Sequence, residues 1–166
     1  MAQTQDLAPT RLADQLERGF RGGAWHGPAV MELLSGVEAA LAQRRPGPAS
    51  HSIAEIVGHL TYWLKDTQGQ IVGLARPQGE PGSDWGPSVL TSETAWQAAC
   101  AALEEAHGRL QTAVLDLAET RLDEARSGSD TTIRGLLQGT LQHNAYHAGQ
   151  IALLRKLAEA ALGRPS

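Results

Sequence analysis

Clusters of glycine and proline constrain the fold of this chain more than any other feature of its sequence. They lie at residues 45–50 and 75–88, with a weaker cluster at 127–130. Because glycine and proline disfavour the interiors of helices and strands, such clusters mark the connections between elements. Between them, apolar residues recur every three or four positions, as on one face of a helix, and no stretch alternates as a strand does. The sequence therefore predicts an all-α chain.

Four helices are expected between these clusters. They cover about residues 28–44, 52–71, 92–114 and 132–163. The second has the clearest start, because Ser52 and Glu55 have the spacing of a capping box. A weakly periodic segment at 11–20 precedes a glycine pair. About 17 residues join the second and third helices, enough to cross a bundle. We expect a four-helix bundle with a long crossover connection, forming one domain over residues 1–166.

The composition excludes several classes of function. The 166 residues are 42% hydrophobic and 19% charged, as in globular proteins, and the formal net charge is -4. A nucleic-acid interface would need clustered Lys and Arg, so we expect none. We expect no membrane contact either, because no apolar run has the length of a transmembrane helix. Residues 1–10 lack the features of a signal peptide, and the single Cys100 cannot form an internal disulfide. We therefore expect a cytoplasmic protein.

His143 and His147 are the chemically distinctive pair in the fourth predicted helix. Their spacing of four places both imidazoles on one face, with Cβ atoms about 5–6 Å apart, so both can bind one divalent ion. His59 belongs to the apolar stripe of the second helix, which also carries Trp63. All three histidines should therefore face the bundle interior, where an imidazole needs a metal ion or a hydrogen-bond partner. Periodicity alone leaves both alternatives open.

The other histidines are weaker candidates for this site. His107 lies in a Glu-rich stretch and is expected to be solvated, and His51 is expected on the surface. His26 should lie about 16 Å from the level of His59 along antiparallel helices, too far to bind the same ion. Glu55 could orient His59 from one turn away, but its capping role is the simpler interpretation.

Two tryptophans, Trp63 and Trp96, fall on apolar stripes and are expected in the core, with Trp63 also beside the pocket of His59. Trp25 and Trp85 lie near helix breakers and are expected to cover helix ends. Cys100 lies in an alanine-rich stretch and is expected to be a small buried apolar residue. Neither a base nor a second cysteine near it in sequence supports a reactive role.

Two segments carry a resemblance to a known family. HSIAEIVGHLTYWL at 51–64 and LLQGTLQHNAYHAGQIALLRKL at 136–157 together resemble the DinB-like (YfiT) superfamily, and AWHGPAV at 24–30 is similar to the start of many members. The resemblance extends over residues 10–160. It implies a four-helix bundle with a long crossover, and a divalent metal ion held by His59, His143 and His147. Relatives often form homodimers through bundle faces, so a homodimer is implied as well.

The resemblance also implies a class of chemistry. Some members are transferases or isomerases that use bacillithiol, mycothiol or glutathione as a cosubstrate. We therefore expect a metal-dependent transferase that activates a low-molecular-weight thiol and acts on a small-molecule substrate. Zn²⁺ and Ni²⁺ both suit imidazole ligands. The alternatives are a metal-dependent hydrolase and a non-catalytic metal-binding or stress-response module, and no residue declares itself as the general acid or base.

Metal binding should depend on pH, because an imidazole must be neutral to bind a metal ion. The unperturbed pKa of histidine is about 6.5. From the sequence alone, metal affinity is expected to fall as the pH drops below that value.

Overall fold

The computed structural model describes residues 7–74, 83–85, 92–126 and 128–163. Within these ranges the chain is all-α, with no strand and one isolated antiparallel bridge between Ala125 and Thr132. The helices are α1 Leu7–Arg21, α2 Val30–Leu34, α3 Ala39–Ala42, α4 Ile53–Ile71, α5 Glu93–Leu115 and α6 Ile133–Ala161. Two 3₁₀ turns follow α4 and α5, at Ser83–Trp85 and Glu119–Asp123. The expected all-α fold is confirmed.

Four long helices form the bundle, because α1 and α4 each pack against both α5 and α6. Apolar residues spaced three or four apart on each helix face the shared interior. The fully buried side chains of this core include Leu16, Phe20, Leu60, Leu64, Leu103, Leu110, Leu137 and Ile151. None of the helices in the described ranges is long and apolar enough to cross a membrane.

The prediction of a single helix over residues 28–44 is wrong. This segment forms the two short helices α2 and α3, which pack across α6 and α5. The remaining long helix of the bundle is α1, which lies in the segment that is only weakly periodic in sequence. Leu12, Leu16 and Phe20 are spaced four apart and are buried, so α1 contributes a full apolar face to the core.

Residues from other helices stabilise the break between α2 and α3. Gly36 has a φ of +73°, which a right-handed helix cannot contain and which glycine adopts without steric strain. Arg155 of α6 donates to two backbone carbonyls at the end of α2, each at 2.9 Å. Trp96 of α5 donates its indole N–H to the carbonyl of Val37 at 2.6 Å. These long-range contacts satisfy carbonyls that a continuous helix would have paired internally.

α4 begins as the sequence predicts. The hydroxyl of Ser52 accepts a hydrogen bond from the backbone N–H of Glu55 at 3.2 Å, and the carboxylate of Glu55 accepts one from the N–H of Ser52 at 2.9 Å. This capping box confirms the capping role of Glu55, whose carboxylate also pairs with Arg45. The connection from α4 to α5 spans residues 72–92. Most of the predicted crossover lies outside the described residues, but its turn Ser83–Trp85 packs against α4.

Candidate metal centre

Three imidazoles meet between α4 and α6. His143 and His147 are one turn apart on α6, and His59 on α4 faces them across the helix interface. The Nε2 atom of His143 lies 3.1 Å from Nε2 of His59 and 3.1 Å from Nε2 of His147. One ligand atom from each of the three lies within 4.8 Å of the others, so the group could hold a metal ion. His59 and His147 are buried, and His143 is half-buried.

Oxygen atoms beside two of the imidazoles favour one tautomer of each ring. Nδ1 of His147 lies 2.7 Å from Oε1 of Gln150, an amide oxygen that can only accept a hydrogen bond. Nδ1 of His59 lies 3.3 Å from Oδ2 of Asp84, although this contact is not an aligned hydrogen bond. Both contacts favour a proton on Nδ1, and each therefore leaves Nε2 with a free lone pair.

The three nitrogen atoms cannot satisfy one another by hydrogen bonding alone. The free lone pairs of His59 and His147 both lie against Nε2 of His143, and a neutral imidazole carries one N–H proton. At most one of the two 3.1 Å contacts is therefore a hydrogen bond at any moment. Three imidazole nitrogens that leave at least one lone pair facing another nitrogen are a suitable donor set for a divalent first-row ion.

The surroundings keep these imidazoles in the neutral form that binds metals. Burial, followed by the nearby imidazoles of His147 and His59, lowers the pKa of His143 to about 4. Burial also lowers the pKa of His59, although the carboxylate of Asp84 opposes this. Burial lowers the pKa of His147 in the same way, against the opposing effect of the hydrogen bond that His147 donates to Gln150. At neutral pH the rings therefore do not have to lose a positive charge before an ion can bind.

Aromatic rings enclose the site. Trp85 stacks on His59 with ring centroids 4.0 Å apart, and His51 stacks on the indole of Trp85 at 3.5 Å. Trp63 meets His59 edge-on at 6.1 Å, and its N–H donates to Oδ2 of Asp84 at 3.1 Å. A groove of about 370 Å³ between α4 and α6 reaches His59 and His143. Tryptophans therefore shield the site, and His59 and His143 remain accessible from this groove.

The remaining sequence predictions for histidines and cysteine have mixed outcomes. His51 is exposed as expected, and the prediction that His107 is solvated is wrong, because its side chain is 1% exposed. It packs on Phe20 and contacts Glu17, both on α1, a helix that the sequence indicated only weakly. Cys100 is half-buried, and burial with two nearby carboxylates raises the pKa of its thiol to about 11.

The predictions for three tryptophans also have different outcomes. Trp96 is buried as expected. Trp25 covers no helix end, because it is 102% exposed in a loop of positive-φ glycines. Trp85 is half-buried and stacks both on His59 and on His51, which directly precedes the N-cap of α4.

Asp84 and Gln150 were not identified from the sequence as partners of the histidines. Gln150 follows His147 by three positions, so helical spacing alone could have placed them side by side. Asp84 lies in the long connection after α4, where no periodicity indicates which helix face a residue meets. Its approach to His59 therefore depends on how that connection folds back onto α4.

Comparison with known proteins identifies a family for this chain. No curated protein matches the sequence. The family model described as the DinB superfamily matches residues 24–151, a span that contains all three histidines and most of the bundle. This match extends over well more than half of the chain and confirms the resemblance carried by the two histidine segments. The chain belongs to the DinB superfamily.

Proposed function

We propose that this protein is a divalent-metal-dependent transferase that activates a low-molecular-weight thiol, with His59, His143 and His147 as the metal ligands. The observation that carries the proposal is the convergence of three Nε2 atoms. The oxygen atoms of Gln150 and Asp84 beside Nδ1 of His147 and His59 favour a free lone pair on Nε2 of each ring. Three protein ligands are typical of catalytic metal sites, whereas structural sites usually have four.

The chemistry follows from the open side of this donor set. A bound divalent ion would leave a coordination position for the sulfur of a thiol and would favour its thiolate form. Imidazole ligands suit both Zn²⁺ and Ni²⁺, so the residue types do not choose between them. The thiol itself is proposed from the family, and Cys100 does not replace it, because its raised pKa keeps it protonated at neutral pH.

The protein's own side chains have three roles in this proposal. Gln150 accepts a hydrogen bond from Nδ1 of His147 and orients that ring, and the carboxylate of Asp84 favours a proton on Nδ1 of His59 through its charge. Trp63 and Trp85 restrict the access of water to the ligand nitrogens. The groove between α4 and α6 provides space for a small-molecule substrate next to His59 and His143.

Metal binding is tested first, by elemental analysis and metal titration of the purified protein. The wild type should bind about one divalent ion per chain, and the His143→Ala/His147→Ala variant should lose it. His51→Ala is the matched control, because His51 lies against Trp85 but outside the triad. Binding that survives the double substitution, or that is lost in the control, would contradict the assignment of the ligands.

Turnover is tested next with the metal-loaded protein. It is incubated with alkyl-halide and epoxide electrophiles in the presence of bacillithiol, mycothiol or glutathione. The transferase proposal expects loss of thiol and electrophile in equal amounts, and it fails if no thiol is consumed. Ester or amide turnover without a thiol would indicate a hydrolase, and a large metal-linked structural change without any turnover would indicate a sensing module.

A cytoplasmic homodimer formed by single-domain chains is part of the same proposal. Tyr146, Leu153 and Leu157 are exposed on one face of α6, with the seven- and four-residue spacing of a helix-packing stripe. Analytical ultracentrifugation should give a dimer that Leu153→Glu weakens, and a wild-type monomer at micromolar concentration would exclude it.

A further inference from the structure

The groove beside the three histidines extends well beyond them. Its lining includes Trp63 and Thr67 on α4, at one and two turns from His59, and Gly135 and Gly139 on α6, at two turns and one turn from His143. Eight residues of helix correspond to about 12 Å, so the groove is elongated along both helices. The far end holds Arg126, which precedes α6.

The backbone at Arg126 is held in place by a short antiparallel pairing. Its N–H donates to the carbonyl of Thr131 at 3.0 Å, and the neighbouring Ala125 and Thr132 form a bridge. The N–H of Ile133 then donates to the carbonyl of Glu124 at 3.0 Å. The side chain of Arg126 therefore leaves from a fixed position, although it belongs to a connection rather than a helix.

The guanidinium of Arg126 makes its hydrogen bond to a neutral side chain. Its Nη1 donates to Oε1 of Gln70 at 2.5 Å, which is a neutral amide oxygen. Its Nε is buried and has no hydrogen-bond partner in the part of the chain that the structure describes. No carboxylate is among the described residues that line the groove. A guanidinium that lines a groove whose described lining has no carboxylate is a suitable partner for the carboxylate of a ligand, which it can bind with two parallel hydrogen bonds.

The middle of the groove is less polar than its end. The hydroxyls of Thr67 and Thr140 lie 3.1 Å apart and bond to each other, and the hydroxyl of Thr140 also donates to the carbonyl of Leu136. Leu136 and Trp63 contribute apolar surface, and Gly139 leaves open space where a Cβ would project. The walls therefore suit an apolar body.

We propose that the groove binds an elongated organic anion, with a carboxylate or sulfonate at Arg126, an apolar body between α4 and α6, and its opposite end beside His59 and His143. The inference deepens the proposed function, on which it rests only for the reaction at the histidine end. The anionic group belongs either to the thiol cosubstrate or to the second substrate, and both present the same chemistry to Arg126.

The test is isothermal titration calorimetry of the metal-free protein with octanoate and with octanamide, its neutral counterpart. Octanoate should bind about ten-fold more tightly than octanamide, because a charge-assisted pair is stronger than a neutral hydrogen bond. Arg126→Gln should abolish this preference, and Arg126→Lys should retain most of it. Equal binding of the two compounds, no binding of either, or a preference that survives in Arg126→Gln would overturn the inference.

Two further variants separate this inference from stability and from the metal site. Gly139→Leu should fill the groove and weaken octanoate binding, with a melting temperature no lower than that of the wild type. His51→Ala removes a histidine that lies outside both the triad and the groove lining, so it should bind octanoate as the wild type does. A wild type that binds no metal but prefers octanoate would refute the proposed function and leave the anion site standing. Octanoate binding unaffected by Gly139→Leu would place the anion elsewhere and overturn the inference.

The source of the anion is assigned with the metal-loaded protein and 8-mercaptooctanoate. If this compound binds more tightly than octanoate in the wild type but not in His147→Ala, the anion belongs to the thiol. If octanoate and 8-mercaptooctanoate bind equally, with the same dependence on Arg126, the anion belongs to the second substrate. Either result supports the anion site, whereas binding of both compounds independent of Arg126 would exclude it.

Discussion

At the residue scale, oxygen atoms of Asp84 and Gln150 lie behind two of the three imidazoles of the candidate metal site. Asp84 contacts Nδ1 of His59 and accepts the N–H of Trp63, so one carboxylate connects a proposed ligand with the wall of its groove. Gln150 has the same function for His147, and its amide orientation is supported by a 3.0 Å hydrogen bond to the hydroxyl of Tyr146. Such partners raise the basicity of the ligand nitrogen and fix the ring.

Asp84→Asn is expected to weaken metal binding about 10- to 100-fold, the usual effect of removing the partner behind a histidine ligand. The amide lacks the negative charge that favours the proton on Nδ1 of His59. The dissociation constant is measured by competition with a chromophoric chelator. Asp123→Asn is the control, because this exposed carboxylate pairs with Arg134 away from the histidines. Equal affinities for the wild type and Asp84→Asn would show that Asp84 does not support the site.

The pH dependence of metal binding is expected to differ from the sequence-based expectation. The pKa of His143 is lowered to about 4, and the pKa values of His59 and His147 are also lowered, chiefly by burial. Because protons compete with the ion only near and below these pKa values, affinity should persist below pH 6.5 and fall as the pH approaches the lowered values. Metal titrations between pH 7.5 and 4.5 measure this. Loss of affinity centred at pH 6.5 would contradict the effect of burial.

At the element scale, the starts of α4 and α5 have unequal caps. Ser52 is 1% exposed and exchanges two hydrogen bonds with Glu55, which also pairs with Arg45. Ser92 is exposed and accepts one hydrogen bond, from the N–H of Ala95 at 3.1 Å. The start of α4 is therefore the more strongly determined of the two.

Ser52→Ala should lower the free energy of unfolding by about 1–2 kcal/mol, and Ser92→Ala by about 0.5 kcal/mol, because only the former leaves a buried N–H without its cap. Urea denaturation followed by circular dichroism gives both values. Equal losses in the two variants would show that the capping box adds nothing to a single cap.

Two glycines of α6 form another matched pair. A Cβ at Gly139 would meet nothing within 4 Å, whereas one at Gly135 would lie 3.2 Å from Cγ2 of Thr131. Gly139→Ala should raise the free energy of unfolding by about 0.5–1 kcal/mol, because alanine loses less backbone entropy in a helix. Gly135→Ala should raise the free energy of unfolding by less, or not at all, because its methyl group displaces Thr131. A larger gain at Gly135 in urea denaturation would contradict this ranking.

At the scale of the whole molecule, His107 joins the N-terminal helix to the rest of the bundle. Its Nε2 lies 2.8 Å from Oε2 of Glu17, and its ring stacks on Phe20 at 3.8 Å. Gln111 donates to the carbonyl of Ala13 at 2.9 Å beside it. Burial lowers the pKa of His107, despite the opposing effect of Glu17. The packing of α1 on α5 therefore buries a histidine that prefers to stay neutral.

This preference predicts a fall in stability on acidification. The unfolded chain binds a proton at His107 below about pH 6.5 while the folded protein resists it, so stability decreases from that pH towards the lowered folded pKa. Each such histidine contributes up to about 1.4 kcal/mol per pH unit. His107→Gln should reduce the slope measured by urea denaturation of metal-free protein between pH 7 and 5. His26→Gln, which alters an exposed loop histidine, should leave it unchanged. An equal slope in His107→Gln and the wild type would refute the prediction.

Helices with local signals could be predicted without the structure. Ser52 and Glu55 determined the start of α4, and the apolar spacing placed His59 on one face of α4 and His143 with His147 on one face of α6. Because helix geometry fixes which side chains share a face, these predictions needed no knowledge of the neighbours. The convergence of the three imidazoles followed once those faces were packed together.

Features that depend on partners distant in sequence became visible only when the helices were seen packed together. The break between α2 and α3 is held by Arg155 of α6 and Trp96 of α5, and the burial of His107 requires α1 as a neighbour. Asp84 reaches His59 from a connection without periodicity. Spacing along the chain specifies the face of a helix but not what packs against it, because those contacts form only when the helices assemble.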